Sequence, residues 1–284
     1  MSTILSIQSA VAYGHAGNSA AVFPLQRMGV EVWPVLTVTF SNHTGYGAWR
    51  GPLVAADDVR EVVHGIDDRG VLGQADALLT GYQGSPEVAA VILEAAELVK
   101  QRNPKAVYCC DPVMGDVGRG FFCLPGIPEL MRDQVVPRCD VVTPNLFELE
   151  FLVGRETTSI PDVIEAAHSL RARGPETVLV TSVTAAGGPD DVMRMIAVNG
   201  EGAWQVETPM IDRVFTGSGD ITTAMFLAHL LQTGSAERAL SATASIVYSV
   251  LRETADLDQR ELALVKAQDF VVNPKHTFTA SQIA

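Results

Sequence analysis

The stretch Thr216-Gly217-Ser218-Gly219-Asp220-Ile221-Thr222-Thr223-Ala224-Met225 is a glycine-flanked turn that leads one carboxylate into an apolar helix. Gly217 and Gly219 let the backbone turn tightly and approach a ligand without an intervening Cβ. The N–H groups of Gly217, Ser218 and Gly219 and the positive end of the helix dipole can then face a phosphate. Asp220 is placed to accept the proton of an oxygen that attacks that phosphate. The pattern predicts a phosphoryl-transfer site; the alternative is an Asp that only caps a helix.

Composition narrows the class of protein. The chain has 284 residues, of which 47% are hydrophobic and 19% charged, and its formal net charge is −13. These values predict a globular protein with a sizeable core and argue against a nucleic-acid partner. The sequence has no apolar run of about 18 residues and no signal-type N-terminus. We therefore expect a cytoplasmic protein without a membrane partner, folded as a single domain over residues 1–284.

The four cysteines do not suggest a metal site. Cys109, Cys110, Cys123 and Cys139 form no C-x-x-C pair and have no His at ligand spacing. Such a pattern argues against zinc. We expect free, buried thiols.

Apolar segments of strand length alternate with helical segments along the chain. Strands are predicted at residues 3–8, 30–40, 77–80, 106–110, 141–143 and 177–181, and helices at 19–28, 86–102, 146–153 and 161–172. Residues 194–198 and 203–207 read as a hairpin, and Pro34 indicates a break, a bulge or an edge strand. The alternation predicts an α/β fold with a mostly parallel central sheet and helices on both faces.

In such a sheet, ligands collect at the C-terminal ends of the strands. Polar or glycine residues follow each predicted parallel strand: Ser9, residues 41–44, Gly81 and Tyr82, Asp111, residues 143–145, and Thr181 with Ser182. We expect these residues to meet at one edge of the sheet.

Two of these strand ends carry acids. Asp111 closes an apolar strand, and Asn145 and Glu148 lie three residues apart on one helical face. Carboxylate and amide oxygens suit hydrated Mg²⁺, which takes one or two carboxylates and leaves its other positions to water and phosphate. The alternative is that Asp111 makes a turn and Glu148 favours a helix N-terminus. Together with the glycine turn, the acids favour phosphoryl transfer.

These motifs carry a family resemblance. The segments S-A-V-A-Y-G-H-A-G-N at 9–18, F-S-N-H-T-G-Y at 40–46, G-Y at 81–82, D-P-V-M-G at 111–115, T-P-N at 143–145 with Glu148, and G-S-G-D at 217–220 resemble pyridoxal kinases of the ribokinase superfamily. The match runs in the family's order over essentially the whole chain. The first two segments are specific to that family, whereas the glycine turn and the N-x-x-E element are shared by the superfamily.

The resemblance implies ATP-dependent phosphorylation of the 5′-hydroxymethyl group of pyridoxal, with pyridoxine and pyridoxamine as further acceptors. It makes Asp220 the catalytic base and Gly217, Ser218 and Gly219 the anion hole. The residues implied for the vitamin are Ser9, Phe40, His43, Thr44, Gly45 and Tyr82. Those implied for the nucleotide are Asp111, Thr143, Asn145, Glu148, Thr181, Ser182, Arg213, Val214, Phe215 and Thr216. Asp111 and Glu148 would serve Mg²⁺, a monovalent cation is a further candidate, and the family suggests a homodimer.

The sequence also departs from part of the family. Some bacterial members have Lys where this chain has Thr181 and Gln where it has Gly45. One cation near the phosphates is thus missing, and metal or Arg213 is the candidate substitute. Residues 117–122 form a glycine-hinged stretch, either a lid that excludes water or a plain surface loop.

Two other functions stay open at this point. A hydroxymethylpyrimidine kinase is one, although those enzymes usually carry a Gly-Gly-Ala-Gly segment near the N-terminus that this chain lacks. A non-catalytic vitamin B6 binding protein is the other, and the retained Asp220 and glycines argue against it.

Overall fold

Eleven strands and eight helices make up the computed structural model, which describes residues 2–184 and 191–284. The strands are β1 (Thr3–Tyr13), β2 (Glu31–Asn42), β3 (Ala77–Thr80), β4 (Val107–Cys110), β5 (Gly115–Asp116), β6 (Gly120–Phe121), β7 (Val141–Val142), β8 (Thr177–Val183), β9 (Val192–Val198), β10 (Ala203–Pro209) and β11 (Ser281–Gln282). The helices are α1 (Asn18–Arg27), α2 (Ala56–Asp68), α3 (Pro86–Arg102), α4 (Ile127–Leu130), α5 (Leu146–Val153), α6 (Ile160–Arg171), α7 (Ser218–Thr233) and α8 (Ala236–Asp256). Shorter helical turns lie at Thr44–Tyr46, Leu72–Gln74, Met131–Val135, Val136–Arg138 and Gln268–Val271.

Nine strands form one sheet in the order β11-β10-β9-β8-β7-β4-β3-β1-β2. Neighbours from β2 to β8 pair in parallel, and β9, β10 and β11 continue the sheet with antiparallel pairs. The strands β5 and β6 form a separate two-stranded hairpin. The predicted α/β class and mostly parallel sheet are confirmed.

Apolar side chains are buried on both faces of the sheet. One cluster packs α2, α3, α5 and α6 on one face, and a second packs α1, α7 and α8 on the other. Parallel strands need crossover connections, and here crossover helices lie on both faces, with α7 and α8 completing the cover beside α1. Cys109, Cys110 and Cys139 are buried within these clusters and Cys123 is half-buried, all as free thiols.

Local sequence signals set several boundaries accurately. The helices α3 and α5 span the predicted residues. The Ser85 hydroxyl caps α3 by accepting a hydrogen bond from the Val88 N–H at 3.3 Å, and a proline follows in the first turn. Pro34 lies in β2, an edge strand, where a missing N–H breaks no central ladder. The helices α2 and α8 were not predicted as separate elements.

The predicted end of the first strand is wrong. Strand β1 continues to Tyr13 through a bulge between Gln8 and Ala10, so Ser9 lies inside the strand. The buried Asn18 side chain allows this, because its amide donates to the carbonyls of Ser6, Gln8 and Val35. Those contacts give buried backbone carbonyls a hydrogen-bond partner where water does not supply one.

Other polar residues that we expected just after strands also lie within them. Ser41 belongs to β2, and Thr181 and Ser182 belong to β8. Ser182 has a φ of 54°, which marks the bend where β8 leaves regular pairing with β9. Asp111 and Thr143 do follow β4 and β7 directly.

Among residues 2–184 and 191–284, no helix is both long enough and apolar enough to cross a membrane.

Candidate active site

The glycine turn opens helix α7. Gly217 has a φ of 84° and precedes Ser218, where the helix begins, so the helix starts two residues before Asp220 rather than after it. A Cβ on Gly217 would lie 2.1 Å from the backbone oxygen of His15. Only glycine fits both the backbone angle and this contact. The first N–H groups of a helix have no carbonyl partner within the helix and can face a ligand. Of the turn's N–H groups, that of Ser218 makes a long bond of 3.4 Å to the Phe215 carbonyl.

Asp220 lies in the first turn of α7 and faces a second glycine. Burial raises the pKa of Asp220 above its ordinary value, and the nearby Gly17 N–H offsets part of that rise. Gly17 has a φ of 56°, and a Cβ there would lie 2.3 Å from the Ser9 oxygens. A base with a raised pKa binds a proton more readily than a solvated carboxylate does.

A chain of hydroxyl groups joins α7 to the end of β4. Thr223 lies one helical turn beyond Asp220, and its hydroxyl is 3.1 Å from Asp111 Oδ2 and 2.7 Å from Thr143 Oγ1. Asp111 is buried, and its pKa is raised by that burial and by the charges of Glu148 and Asp220. The buried carboxyl groups therefore favour a cation nearby.

Asn145 and Glu148 form a capping box at the start of α5. The Glu148 N–H donates to Asn145 Oδ1 at 2.9 Å, and the Asn145 N–H donates to Glu148 Oε2 at 3.0 Å. Glu148 Oε1 also accepts a hydrogen bond from the Met114 N–H at 2.7 Å. Glu148 thus holds both the start of α5 and the backbone at Met114, in the segment that follows Asp111.

Three connected compartments form a cleft along the C-terminal edge of the parallel strands. The first is apolar with a polar rim: Ser9, Val11, Ala16, Gly17, Val38, Phe40, His43, Thr44, Tyr82, Val113, Phe122 and Asp220. The second is polar and holds the predicted anion hole and acids: Asp111, Arg119, Thr143, Asn145, Glu148, residues 214–220 and Thr223. The third is largely apolar and includes Met193, Met195, Val206, Met210, Arg213, Val247, Tyr248 and Leu251.

Asp220 lines both the first and the second compartment, where they meet. The residues Thr181, Ser182 and Val214 join the second compartment to the third. We call the three the acceptor, phosphate and nucleoside compartments. Along the cleft the compartments follow one another in the order in which the acceptor, the transferred phosphate and the nucleoside are arranged in a nucleotide-dependent phosphoryl transfer.

Known proteins are similar in sequence to this chain over nearly its whole length. Residues 16–264 match the family model described as phosphomethylpyrimidine kinase. The protein is 55% identical to "Pyridoxal kinase PdxY" of Leifsonia xyli over 280 residues, which cover 99% of each chain. The chain belongs to the pyridoxal kinase family.

Solved structures agree with this assignment. A pyridoxal kinase from Leishmania donovani in complex with ADP and ginkgotoxin is 30% identical, with a TM-score of 0.90 and full coverage of both chains. The same enzyme with ADP and pyridoxamine is 29% identical, with a TM-score of 0.88. The resemblance drawn from the motifs and the kinase assignment are confirmed, as is the ribokinase-like fold.

In this family member the cleft brings together the predicted site residues, with one exception. Ser9, Phe40, Tyr82 and the other residues expected at the vitamin line the acceptor compartment, but Gly45 lines none of the three. The Gly45 N–H instead donates to His43 Nδ1 at 3.0 Å. Gly45 therefore shapes the loop that presents His43 and has no surface of its own in the cleft.

His43 stands between the acceptor and phosphate compartments. Burial lowers its pKa, and the positive charge of Arg119 lowers it further. Because Nδ1 accepts the Gly45 N–H, the neutral ring carries its proton on Nε2. His43 therefore offers a hydrogen-bond donor without a second positive charge.

Sequence reasoning missed several residues of the cleft, among them Gly17, Arg119, Phe122 and Thr223. Gly17 was quoted only as part of a motif, and Thr223 is three residues from Asp220, a helical spacing that signals a shared face. Arg119 lies in the β5–β6 hairpin, inside the stretch that we proposed as lid or loop. Its guanidinium lies 5.4 Å from the centre of the Phe122 ring. Sequence alone gave no sign that this cation faces the phosphate compartment.

Arg213 lies on the nucleotide side of the cleft, as the resemblance implied, but outside the phosphate compartment, where it was our candidate for the missing cation. It lines the nucleoside compartment and pairs with Asp258 at 3.1 Å. Within the described residues, Arg119 is the only Arg or Lys that lines the phosphate compartment. Arg119 is thus better placed than Arg213 to supply the cation that the resemblance leads us to expect near the phosphates.

The residues present fit a magnesium ion held mainly by nucleotide. In the two described ranges, no group of three or more His, Cys, Asp or Glu side chains could hold a metal by itself. Asp111 accepts a hydrogen bond from Thr223, which leaves further lone pairs on its carboxylate. One or two carboxylates are what Mg²⁺ takes when phosphate and water supply its other ligands.

Burial of Glu148 predicts a pH dependence of stability. Burial raises the pKa of Glu148 to about 7 from an ordinary value near 4.5. A raised pKa favours the protonated form in the folded state, so its contribution to the free energy of unfolding is full below about pH 4.5 and is lost as the pH rises through about 7. We expect Glu148→Gln to flatten the decline between pH 5 and 8, measured by urea denaturation without metal or nucleotide.

Glu94→Gln is the matched control for this measurement. The hydrogen bond from Arg60 lowers the pKa of Glu94, so its titration lies below the measured range. That variant should keep the wild-type slope. A Glu148→Gln protein whose stability falls as steeply as the wild type would contradict the assignment.

Proposed function

We propose that the protein transfers the γ-phosphoryl group of ATP to the 5′-hydroxymethyl oxygen of pyridoxal, and that pyridoxine and pyridoxamine are further acceptors. The observation that carries the proposal is the position of Asp220 at the junction of the acceptor and phosphate compartments. A base at that junction can reach an acceptor hydroxyl on one side and the terminal phosphate on the other.

The acceptor compartment suits a small aromatic ring with polar substituents. Phe40 and Tyr82 supply aromatic walls, while Ser9 and Thr44 supply hydroxyl partners. Aromatic and apolar walls with a few placed polar groups are typical of small-molecule sites. The nucleoside compartment likewise offers methionine and valine side chains to a flat base.

The reaction needs one group that accepts a proton and one site that stabilises the negative charge on the transferred phosphoryl group. Asp220 takes the proton from the hydroxymethyl oxygen as that oxygen forms its bond to the γ-phosphorus, and the bond between the γ-phosphorus and the bridging oxygen breaks to release ADP. The N–H groups of the turn at residues 217–219 face the oxygens on which negative charge is distributed. The base and the anion hole therefore act on the same transferred group from adjacent positions in the chain.

Asp111 and Glu148 would hold Mg²⁺ together with the phosphates of ATP. When bound, the ion neutralises phosphate charge and helps to align the transferred group. A monovalent cation and a homodimeric assembly also belong to this proposal, and they are supported by the family resemblance alone. A cytoplasmic location belongs to it as well, and it is supported by the hydropathy pattern of the sequence.

The activity can be tested with purified protein, Mg·ATP and pyridoxal by following pyridoxal 5′-phosphate through its absorbance. A kcat of roughly 1 to 100 per second would support the proposal. Parallel reactions with hydroxymethylpyrimidine test a pyrimidine acceptor, the substrate class to which the description of the matching family model, phosphomethylpyrimidine kinase, points. Preference for the pyrimidine would contradict the proposed substrate.

Arg119 should contribute to ATP recognition. Replacing Arg119 by Ala removes a cation from the phosphate compartment. We expect kcat/KM for Mg·ATP to fall by about 10- to 100-fold, the range for losing a charged hydrogen bond. Steady-state kinetics with ATP varied at saturating pyridoxal would measure the change.

The control for Arg119 is Arg132→Ala. Arg132 also lies over a phenylalanine ring, 5.5 Å from the centre of Phe151, but it lines none of the three compartments. It should keep the wild-type kcat/KM. Equal kinetics for the Arg119 and Arg132 variants would rule out a role for Arg119 at the phosphates.

A further inference from the structure

The segment at residues 258–262 returns from helix α8 and lies against the cleft. Glu261 forms an isolated parallel bridge with Thr216, the residue before the glycine turn. Asp258, at the start of the segment, makes the ion pair with Arg213 of the nucleoside compartment. A short segment distant in sequence from most of the cleft thus touches its catalytic turn and its nucleotide side.

The two carboxylate oxygens of Glu261 join two further loops. Glu261 Oε2 accepts a hydrogen bond from the His15 N–H at 3.0 Å, and Oε1 accepts one from the Tyr46 hydroxyl at 2.6 Å. This second bond raises the pKa of Tyr46 to about 12. A Cβ on Gly14 would lie 2.0 Å from Oε2, so glycine at that position leaves room for the carboxylate.

Each loop carries a part of the reaction site. The backbone oxygen of His15 packs against Gly217, so the position of His15 limits the position of the anion hole. Tyr46 belongs to the helical turn at Thr44–Tyr46, whose first residue and whose capping residue His43 both line the acceptor compartment beside Asp220. Glu261 therefore holds the acceptor loop and the anion-binding turn in one arrangement.

Arg260 strengthens the contact with the acceptor loop. Its guanidinium lies 3.5 Å from the centre of the Tyr46 ring and donates to the Gly45 carbonyl at 3.2 Å. A cation over an aromatic ring adds to the hydrogen bond that Glu261 makes at the other end of the same side chain. Arg260 and Glu261 thus contact the loop through both the ring and the hydroxyl of Tyr46.

We propose that Glu261 is a positioning residue, which fixes the acceptor hydroxyl relative to Asp220 and the anion hole by bonding His15 and Tyr46 at once. This inference rests on the proposed phosphoryl transfer to an acceptor in that compartment. Glu261 lines none of the three compartments, so its effect is exerted through the two loops. Small displacements of reacting groups cost rate more than they cost binding.

The test compares Glu261→Ala, Tyr46→Phe and the double variant with the wild-type protein. We expect Glu261→Ala to lower kcat by about 10- to 100-fold, the cost of misplacing reacting groups by around 1 Å. KM for Mg·ATP should change by less than about threefold, because the loss falls on alignment rather than on ground-state binding. Tyr46→Phe should lower kcat less, since it removes one of the two bonds.

The double variant shows whether Glu261 and Tyr46 act together in positioning the loops or lower kcat independently. If Tyr46 acts through Glu261, adding Tyr46→Phe to Glu261→Ala should lower kcat little further, whereas independent effects would multiply. Glu261→Gln keeps the side-chain length and one acceptor oxygen, and it should restore part of the lost kcat.

Glu150→Ala is the matched structural control. Glu150 also accepts hydrogen bonds from a backbone N–H and a hydroxyl, those of Thr157 at 2.8 and 2.9 Å, but it lies outside the cleft. It should lower Tm about as much as Glu261→Ala while leaving kcat unchanged. A wild-type kcat in Glu261→Ala, or equal kcat losses in both variants, would overturn the role of Glu261. Lack of turnover by the wild-type protein would instead contradict the proposed function.

Discussion

Replacing Asp220 by Asn should lower kcat for pyridoxal phosphorylation by at least about 100-fold, the lower end for losing a general base. The amide keeps the size of the side chain but cannot accept the proton of the acceptor hydroxyl. Burial raises the pKa of Asp220, so the folded protein disfavours its charge. The variant should therefore be at least as stable as the wild type at pH 7. Turnover assays, pyridoxal binding by calorimetry and thermal denaturation would measure the three effects.

The control for Asp220 is Glu237→Gln. Glu237 also lies in the first turn of a long helix, α8, but it is exposed and outside the cleft. It tests the alternative that Asp220 matters only as an acid at a helix N-terminus. Glu237→Gln should retain the wild-type kcat, and pyridoxal should bind to Asp220→Asn within a few-fold of its wild-type affinity. Full turnover by Asp220→Asn would exclude the base role, and the protein would then need another proton acceptor.

Replacing Gly217 by Ala should abolish most activity for a steric reason. The new methyl group would lie 2.1 Å from the His15 carbonyl oxygen, so the turn or the neighbouring loop must shift. A shift moves the N–H groups of residues 217–219 away from the transferred phosphoryl group. Losing one such donor costs about 100- to 1,000-fold in kcat. We expect a loss in that range, measured at saturating ATP and pyridoxal.

Gly234→Ala is the matched control at the other end of the same helix. Gly234 has a φ of 63°, so alanine there meets a similar backbone penalty of about 1 kcal/mol, but no atom lies within 4 Å of its added Cβ. It should lower stability modestly and keep kcat. A comparable loss of kcat in both variants would show that backbone strain in α7, rather than the contact with His15, limits activity.

Several local features could be read from the sequence because neighbouring residues decide them. The bounds of α3 and α5 follow from a Ser or Asn cap at the start of an apolar helical pattern. The alternation of strands and helices predicted a parallel sheet, because parallel strands need helical crossovers, and it placed the ligand site at the C-terminal ends of the strands. The motifs also identified the family correctly, since residues such as Gly217 and Asp220 lie three positions apart in the chain and can be recognised as one local pattern.

The tertiary structure decided what depends on contacts between distant segments. Strand β1 continues past Ser9 through a bulge beside the Asn18 amide, which donates to three carbonyls, and the sequence does not show where that side chain points. Arg119 lines the phosphate compartment because the β5–β6 hairpin packs against α5 through Phe121. Glu261 meets His15 and Tyr46 only after helix α8 returns the chain to the cleft. Local sequence determined the helices, the strands and the residue types at their ends. Packing of the whole chain determined which polar groups share a compartment, because the distances between residues from different segments do not depend on any single segment.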